Sequence, residues 1–419
     1  MQYDEFISKK IAYTFSLLGI NKGVKIRCVN SKHDADVVLG EKPYPIEIST
    51  DFYAALKNGD FNSKSILNSD GWITTQDGSI DYLSTAFYMI NSFQEYFSSD
   101  LDEIGRFKFS ASYQYRLGGA CNNQVQYCFD KIWEIINPKG TFKRNPSKVF
   151  LTHDIDSVNG ALVQDGYYSL KKGNLKVILQ LIWNVILQQP DWLNMDKIMK
   201  LESEYDFKST FFWLVNKGKT KDGLRNGDYH VTEKSIQSIQ KQITDNGFIN
   251  GLHKSISTDS FETELSKIPG VASNRNHYLK MQLPHHYKEI EKSGLKLDTT
   301  LGFAEQHGFR NSYGLPFTPY NLENDRPYSF VEAPLHIMDG TFQKYYRWNL
   351  SQTSNAIGDF IEKNRYNCVL TFLWHNTFFT QHKFKGYLEI YRSILTILKE
   401  MEIRSITPTE IISEYSIHE

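Results

Sequence analysis

The chain of 419 residues is too long for one ordinary hydrophobic core and predicts two domains, one of which could be a barrel of about 250 residues. Its 47 Lys and Arg residues balance 48 Asp and Glu residues, and the resulting net charge of −1 gives no electrostatic basis for binding nucleic acid. Four cysteines without a Cys-x-x-Cys pair argue against a zinc knuckle or a disulfide framework and favour reduced thiols in a cytosolic protein.

Residues 1–140 predict a small mixed α/β domain. An amphipathic helix is expected over about residues 4–18, and the short apolar runs VKIRCV, DVVLG and YPIEIS predict strands. A second helical pattern runs from Asp81 to Phe97, and the Pro-containing, basic segment near residues 136–148 predicts a linker. Because the acidic N-terminus lacks the features of a secretory signal, we expect a cytoplasmic location.

From residue 147 to 419 the pattern alternates strand with helix, which predicts a distorted (β/α) barrel of about seven strands. The strand candidates, in chain order, are KVFLTHDID, KSTFFWLV, GFINGLHKS, VASNRNHYL, LKLDTTLGF, YSFVEAPLHIM and NCVLTFLWHN. Helical patterns fall between several of them, at about 232–245, 284–293, 353–364 and 386–400. Catalytic residues of such barrels gather at the C-terminal ends of the strands, where seven titratable residues stand here: Asp154, Asp156, His253, Arg275, His277, Asp298 and His375.

The most apolar segment, Val177 to Leu187, is about half as long as a membrane span. Because Lys171, Lys172 and Lys176 precede it, this helix could lie on a membrane surface. Packing against the core of the domain is the stronger expectation.

The first barrel strand ends on two aspartates, Asp154 and Asp156. Side chains two apart on a strand point to the same face, so both carboxylates can enter one site while His153 and Ile155 face away. Two carboxylates held close together disfavour joint ionisation unless a cation neutralises one of them. The pattern therefore predicts a divalent metal on one aspartate and a base in the other, with a solvated acidic turn as the alternative.

The motifs THDID, GLHKS, RNHYL, LDTT and FLWHN, in that order, resemble the five motifs of the polysaccharide deacetylase family. These metal-dependent carbohydrate esterases include chitin and peptidoglycan N-acetyl deacetylases. The resemblance covers about residues 147–419 and is nearest to a subgroup with a small N-terminal domain of unknown role. The stretch TAFYMINSFQEY, Thr85 to Tyr96, resembles a segment of that domain.

Carried over by position, the resemblance implies that Asp154 is the catalytic base and that Asp156 and His253 bind the metal. The family's second metal histidine would stand four residues after His253, where this chain has Ser257. A site of one aspartate and two histidines needs a third ligand, and His277, where the family has a proline, is the expected replacement. A buried structural histidine is the alternative at that position.

The resemblance also implies that Arg275 orients the base, that Asp298 pairs with this arginine, and that His375 protonates the leaving group. An unperturbed imidazole pKa near 6.5 suits that task. His285 and His286, which open a predicted helix, are weaker ligand candidates.

Two later segments allow more than one interpretation. His307 and Arg310 could contact a sugar ring or an anionic group, or could belong to a structural loop held by glycines and prolines. Glu332, on a late strand that also carries His336 and Asp339, could approach the site.

The resemblance implies a metal-dependent hydrolase that removes an N-acetyl or other acyl group from a bacterial glycan or glycan precursor. Zinc is the expected metal, with cobalt, nickel and manganese as alternatives, and no organic cofactor is indicated. A cytoplasmic location favours a nucleotide-linked or lipid-linked carbohydrate substrate, and the segment near Val177 leaves open a peripheral membrane contact. The rival interpretations are a non-catalytic glycan-binding or scaffold protein on a degenerate barrel, suggested by Ser257, and a hydrolase of non-sugar amides.

Overall fold

A curled parallel sheet occupies the centre of the computed structural model, which describes residues 4–29, 46–140, 144–187 and 189–417. The strands of these residues are β1 Lys148–Ile155, β2 Ser209–Leu214, β3 Ile249–Lys254, β4 Ser273–Asn276, β5 Leu297–Asp298, β6 Tyr320–Asn321, β7 Arg326–Pro327, β8 Val331–Glu332, β9 Ile337–Met338, β10 Val369–Leu373 and β11 Arg404–Ser405.

The order of strands in this sheet is β8-β5-β4-β3-β2-β1-β10-β9, and β11 also pairs with β1. The two end strands, β8 and β9, belong to one short segment, because residues 331–338 pair with β5 at their start and with β10 at their end. The sheet is therefore strongly curled. The predicted α/β barrel architecture is confirmed, and all seven strand candidates of the C-terminal part contain strands.

Helices surround the sheet and are the main regular elements of the described N-terminal region. They are α1 Glu5–Lys22, α2 Thr50–Lys57, α3 Ser63–Ile66, α4 Tyr82–Ile90, α5 Tyr113–Arg116, α6 Gln124–Ile136, α7 Ala161–Lys171, α8 Leu175–Ile186, α9 Met195–Ser203, α10 Lys234–Asp245, α11 Phe261–Leu265, α12 His285–Ser293, α13 Leu350–Lys363, α14 Tyr387–Glu400 and α15 Pro408–Tyr415. None of the helices in the described residues is long and apolar enough to cross a membrane.

Helix α1 shows which local signals set a helix boundary. It begins after Asp4, whose side chain accepts a hydrogen bond from the N–H of Ile7, and it ends at Gly23, which has a φ of 66°. The helix therefore runs past the expected end near residue 18, because the glycine that can adopt the left-handed conformation comes later.

The described residues of the N-terminal strand candidates form no strands. Residues 25–29 of VKIRCV and residues 46–49 of YPIEIS are irregular, and DVVLG lies outside the described residues. Ile46 and Ile48 are nevertheless buried in the same apolar core as α1 and α4. The alternation of apolar residues in this run therefore reflects packing against helices. It does not reflect pairing with a neighbouring strand.

A buried ion pair joins the N-terminal region to the barrel. Nε of Arg310 donates to Oε1 of Glu95 over 2.9 Å, and Nη1 donates to the carbonyl of Gly302 over 2.8 Å. The side chains of Arg310 and Glu95 are 1% and 2% exposed, so neither charge is solvated. The structural interpretation of Arg310 is therefore the one that the contacts favour.

We expect Glu95→Ala to lower the free energy of unfolding by about 3–5 kcal/mol, because it leaves the guanidinium of Arg310 buried without its partner. Asp245→Ala is the matched control, since it removes the partner of Lys241 in an exposed pair and should change stability by less than about 1 kcal/mol. Urea unfolding of both variants measures the difference. Equal stability of the two variants would contradict this assignment.

Candidate metal centre and active site

Four side chains from the C-terminal ends of β1, β3, β4 and β10 converge at one edge of the curled sheet. They are Asp156, His253, His277 and His375, each within or just after its strand. Because the strands are parallel, their C-terminal ends lie at the same edge. His153, in contrast, faces away and contacts Glu202 and the carbonyl of Trp374, as the alternation along β1 predicts.

Two backbone carbonyls orient the histidines of this cluster. Nδ1 of His253 lies 2.8 Å from the carbonyl oxygen of Arg275, and Nε2 of His277 lies 3.0 Å from that of Arg225. A carbonyl only accepts hydrogen bonds, so each of these two nitrogens carries its ring's proton in the neutral imidazole. The other two nitrogens, Nε2 of His253 and Nδ1 of His277, face each other over 3.0 Å.

Asp156 completes a set of three metal-ligand atoms. Its Oδ1 lies 3.3 Å from Nε2 of His253 and 3.5 Å from Nδ1 of His277. This oxygen is buried and has no hydrogen-bond donor among the described residues. The ligand atoms all lie within 4.8 Å of one another, the only such group of three His, Cys, Asp or Glu residues in the described part of the chain.

The donor set fits a divalent cation. Two imidazole lone pairs and one carboxylate oxygen within 3.5 Å of one another repel unless a positive charge lies between them. The hydrogen bonds of the outer ring nitrogens to carbonyls are those that metal-bound histidines usually make. One aspartate and two histidines also leave coordination positions open for water and substrate.

Protonation equilibria around the cluster follow from burial and from the neighbouring charges. Burial lowers the pKa of His277 to about 4, which keeps the ring neutral. Burial also lowers the pKa of His253, but Asp154 and Asp156 outweigh this effect and raise it above its usual value. Burial raises the pKa of Asp156, but the rings of His277, His253 and His375 hold it well below its usual range.

Asp154 lies beside the three ligands and is held by Arg275. Nη1 of Arg275 donates to Oδ1 of Asp154 over 2.9 Å and to Oγ1 of Thr152 over 2.7 Å. The other oxygen, Oδ2 of Asp154, lies 3.5 Å from Nε2 of His253. One carboxylate oxygen is thus fixed by the arginine while the other faces the metal-ligand atoms.

The position of Arg275 depends on its packing as well as on its hydrogen bonds. Its guanidinium lies 4.9 Å from the ring centroid of Phe212, and that ring covers Gly251, where a Cβ would come within 2.5 Å of it. Nε and Nη2 donate to the carbonyl and the hydroxyl of Thr299 over 3.0 and 3.1 Å. Since these contacts use both ends of the guanidinium, it can hold Asp154 in one orientation.

His375 faces the cluster from β10 and is oriented by Asp339. Nδ1 of His375 donates to Oδ1 of Asp339 over 2.7 Å, and the backbone N–H of His375 donates to Oδ2 over 2.6 Å. The second ring nitrogen, Nε2, lies 3.7 Å from Oδ2 of Asp156. Burial lowers the pKa of His375, but Asp339, Asp156 and Asp154 together raise it to about 10.

The predicted contact between Asp298 and Arg275 was wrong. Asp298 is the register partner of Asn274, so its side chain lies on the face opposite to that of Arg275. It accepts hydrogen bonds from Asn274 over 2.7 Å and from His286 over 2.7 Å. Because His286 is hydrogen-bonded to Asp298, it does not join the metal ligands. Glu332 is the other register partner of Asp298, so its side chain lies on the same face of the sheet as that of Asp298. Glu332 therefore also lies outside the site.

Ser257, at the position of the family's second histidine, does not reach the cluster. Its hydroxyl donates to Glu264 over 2.9 Å, and the same carboxylate binds Lys254 and the N–H of Ser255. His307 also lies apart, with its ring nitrogens near the hydroxyl of Tyr346 and the thiol of Cys121.

Three supporting residues had no assigned role in the sequence analysis. Thr152 and Thr299 hold Arg275, and Asp339 holds His375. Asp339 follows the end of β9, so its position at a strand end is the signal that could have indicated it. The threonines carry no such signal, because buried threonine is common in strands.

Comparisons with known proteins give a family of unknown function and a set of distant structures. A family model described as DUF7033, a family of unknown function, matches residues 2–141, and no curated protein matches the chain. A structure described as a proposed polysaccharide deacetylase from Mycobacterium smegmatis is 13% identical, with 66% of this chain and 91% of that chain covered and a TM-score of 0.42. A CE4 family pseudoenzyme from Bacillus anthracis is 14% identical, with 66% and 70% covered and a TM-score of 0.31.

A mutant of that pseudoenzyme with restored enzymatic activity has the same identity and TM-score, with 66% of this chain and 72% of that chain covered. At these identities the likenesses indicate neither activity nor substrate. The function must be argued from the side chains of this protein.

We expect the purified protein to bind one divalent metal ion, and Asp156→Asn, His253→Ala and His277→Ala each to weaken binding by at least about 10-fold. His230→Ala, which changes an exposed histidine, and Ser257→Ala are the matched controls and should retain the metal. Elemental analysis and metal titration measure both effects. Loss of the metal in Ser257→Ala, with retention in His277→Ala, would contradict this ligand set.

Proposed function

We propose that this protein is a metal-dependent hydrolase that removes an N-acetyl or other acyl group from a bacterial glycan or glycan precursor. The observation that carries the proposal is the placement of two proton-transfer groups next to the ligand set. Oδ2 of Asp154 lies 3.5 Å from a ligand nitrogen of His253, and Nε2 of His375 lies 3.7 Å from a carboxylate oxygen of Asp156. Amide hydrolysis needs a base for the attacking water and an acid for the leaving nitrogen.

The metal held by Asp156, His253 and His277 would polarise the acyl carbonyl and increase the acidity of the attacking water. Zinc suits this mixture of imidazole and carboxylate donors, and cobalt, nickel or manganese would also fit.

Asp154 is the base of the proposed reaction. Arg275 occupies Oδ1 through a hydrogen bond of 2.9 Å, so Oδ2 remains the oxygen that can accept the proton of the water.

His375 is the acid of the proposed reaction. Its Nδ1 proton is donated to Asp339, which leaves Nε2 directed toward the cluster and able to deliver a proton to the departing nitrogen. The negative charges of Asp339, Asp156 and Asp154 raise the pKa of His375 above its usual value, which favours the protonated ring that an acid needs. Asp339 is therefore a positioning residue.

The substrate is proposed to be a carbohydrate because four of the five motifs that resemble those of polysaccharide deacetylases, THDID, GLHKS, RNHYL and FLWHN, supply the residues of this site. A nucleotide-linked or lipid-linked precursor is preferred to a mature polymer. His277 offers a third ligand atom in place of the histidine that is missing at Ser257, and this supports the hydrolase over the non-catalytic alternative.

We expect Asp154→Asn and His375→Gln each to slow acyl release by about 100-fold or more while they retain bound metal. His230→Gln should leave the rate unchanged, because this exposed side chain lies outside the cluster. Acetate release from a panel of soluble, nucleotide-linked and polyprenyl-linked N-acetylhexosamines measures the rates. Release at the wild-type rate by Asp154→Asn, or no release from any substrate by metal-loaded wild type, would exclude the proposed reaction.

A further inference from the structure

A concentrated apolar surface lies on the two helices that follow the first barrel strand. Ten of the 17 exposed large hydrophobic side chains of the described residues fall between Val163 and Leu187. We call residues 161–187, which contain α7 and α8, the α7–α8 hairpin. Single exposed hydrophobic residues are ordinary, but a contiguous group of this size marks an interaction surface.

The two faces of α8 differ in what they contact. Val177 and Leu181 pack with Ala161 and Trp192 in a small apolar cluster, which attaches the hairpin to the protein. The opposite face carries exposed side chains at helical spacing: Leu175, Leu179, Ile182, Trp183 and Ile186. Leu179 is 67% exposed and Trp183 is 59% exposed, so this face is open to solvent.

The stronger expectation from the sequence, that this helix packs on the core of the domain, was wrong for most of its surface. Leu181 is the one α8 residue that the described structure buries. Helix α7 adds to the open surface with Val163, Tyr167 and Leu170, which are 73%, 60% and 59% exposed.

Basic residues accompany the apolar face, and residues 161–187 carry no exposed acidic side chain. Lys171, Lys172 and Lys176 are exposed at the turn between the two helices, and Lys383 and Lys385 are exposed on the neighbouring loop. The hairpin contains one acidic residue, Asp165, which is buried and accepts from Nε1 of Trp192 over 3.0 Å. The surface is thus apolar and positively charged.

The hairpin is attached at the edge of the candidate active site. Its first helix begins five residues after Asp156. The connection is held by Asp228, which accepts from the N–H groups of Val158 and Asn159 over 2.8 and 3.0 Å. Asn376, next to His375, donates to the carbonyls of Ser157 and Trp192 over 2.9 and 2.6 Å.

We propose that the α7–α8 hairpin docks on the surface of an anionic lipid bilayer. Its apolar face would enter the interfacial region of the bilayer, and its lysines would contact the acidic headgroups. Neither helix of the hairpin is long enough to cross the bilayer, so the hairpin itself would lie at the bilayer surface.

A second copy of this chain fits the surface less well. A symmetric pair of hairpins would bring the exposed lysines of the two copies together, and residues 161–187 offer no exposed carboxylate to neutralise them. Anionic headgroups supply that charge, and tryptophan with flanking lysine is the composition that interfacial helices favour.

Docking at this place has a consequence for the substrate, and this step rests on the proposed function. The hairpin follows β1 at the same edge of the sheet as the metal ligands, so a bound bilayer would lie beside the site. A glycan anchored in the same bilayer would be presented there. Between the two proposed substrate classes, the hairpin therefore favours the lipid-linked one.

The test is cosedimentation of the full chain with vesicles of phosphatidylcholine alone and with equimolar phosphatidylglycerol. We expect wild type to bind the mixed vesicles. A triple variant that combines Leu179→Gln, Trp183→Gln and Ile186→Gln should bind them about 100-fold more weakly. Replacing Lys171, Lys172 and Lys176 with Gln should weaken it by roughly 100-fold. The matched control replaces Lys241, Lys292 and Lys296, exposed near the opposite ends of the strands, and should bind as wild type.

A second measurement does not depend on the folding of a multiple variant. Brominated lipid should quench the tryptophan fluorescence of wild type, and Trp183→Phe should still bind but lose most of that quenching. No binding to mixed vesicles, undiminished binding by either hairpin variant, or no quenching would overturn the proposal. The proposal would also be overturned if the wild-type protein formed a dimer and bound no vesicles.

Vesicle binding and acyl release can be tested independently of each other. His253→Ala should bind vesicles as wild type does, because its side chain is buried in the barrel and is not part of the hairpin. Acyl release from a soluble substrate should be unchanged in the hairpin variants, whereas release from a polyprenyl-linked sugar in mixed vesicles should fall about 10-fold or more. Equal loss on both substrates would show that the hairpin does not act through the membrane.

Discussion

Parallel pairing of the barrel strands is the constraint on which the rest of the site depends. Because neighbouring strands run in one direction, their last residues meet at the same edge, and the register then decides which side chains share a face. His253 is paired with Arg275, and His277 follows two residues later on the same face. A shift of one residue in this pairing would move both His277 and Arg275 to the outer face of the sheet.

The partners of the buried polar groups at the centre of the site also set the directions of those groups. Arg275 is held by Thr152 and Thr299 and turns one oxygen of Asp154 toward the ligand atoms, while the carbonyls of Arg275 and Arg225 turn the two histidines. Buried charges are costly unless they are paired and hydrogen-bonded. Oδ1 of Asp156 and the two facing imidazole nitrogens are the place where this pairing is incomplete, which is why the cluster fits a cation.

The N-terminal region and the α7–α8 hairpin differ in whether their apolar side chains are buried. The N-terminal region shares an apolar core with the barrel and is joined to it by the buried pair of Arg310 and Glu95. The α7–α8 hairpin is attached through Trp192 but keeps most of its apolar side chains exposed. Burial of a hydrophobic face stabilises the fold, whereas an exposed one beside a site indicates that something else covers it.

Local patterns in the sequence are enough to predict the strand ends that carry Asp154, Asp156, His253, His277 and His375, because strand alternation and turn residues are local signals. Which of these residues meet depends on the folded arrangement. The pairing of His375 with Asp339 and the separation of Asp298 from Arg275 follow from register between distant segments, which no local pattern encodes. Likewise, an amphipathic pattern shows that α8 has an apolar face, but whether the rest of the chain covers that face is known only after it has folded.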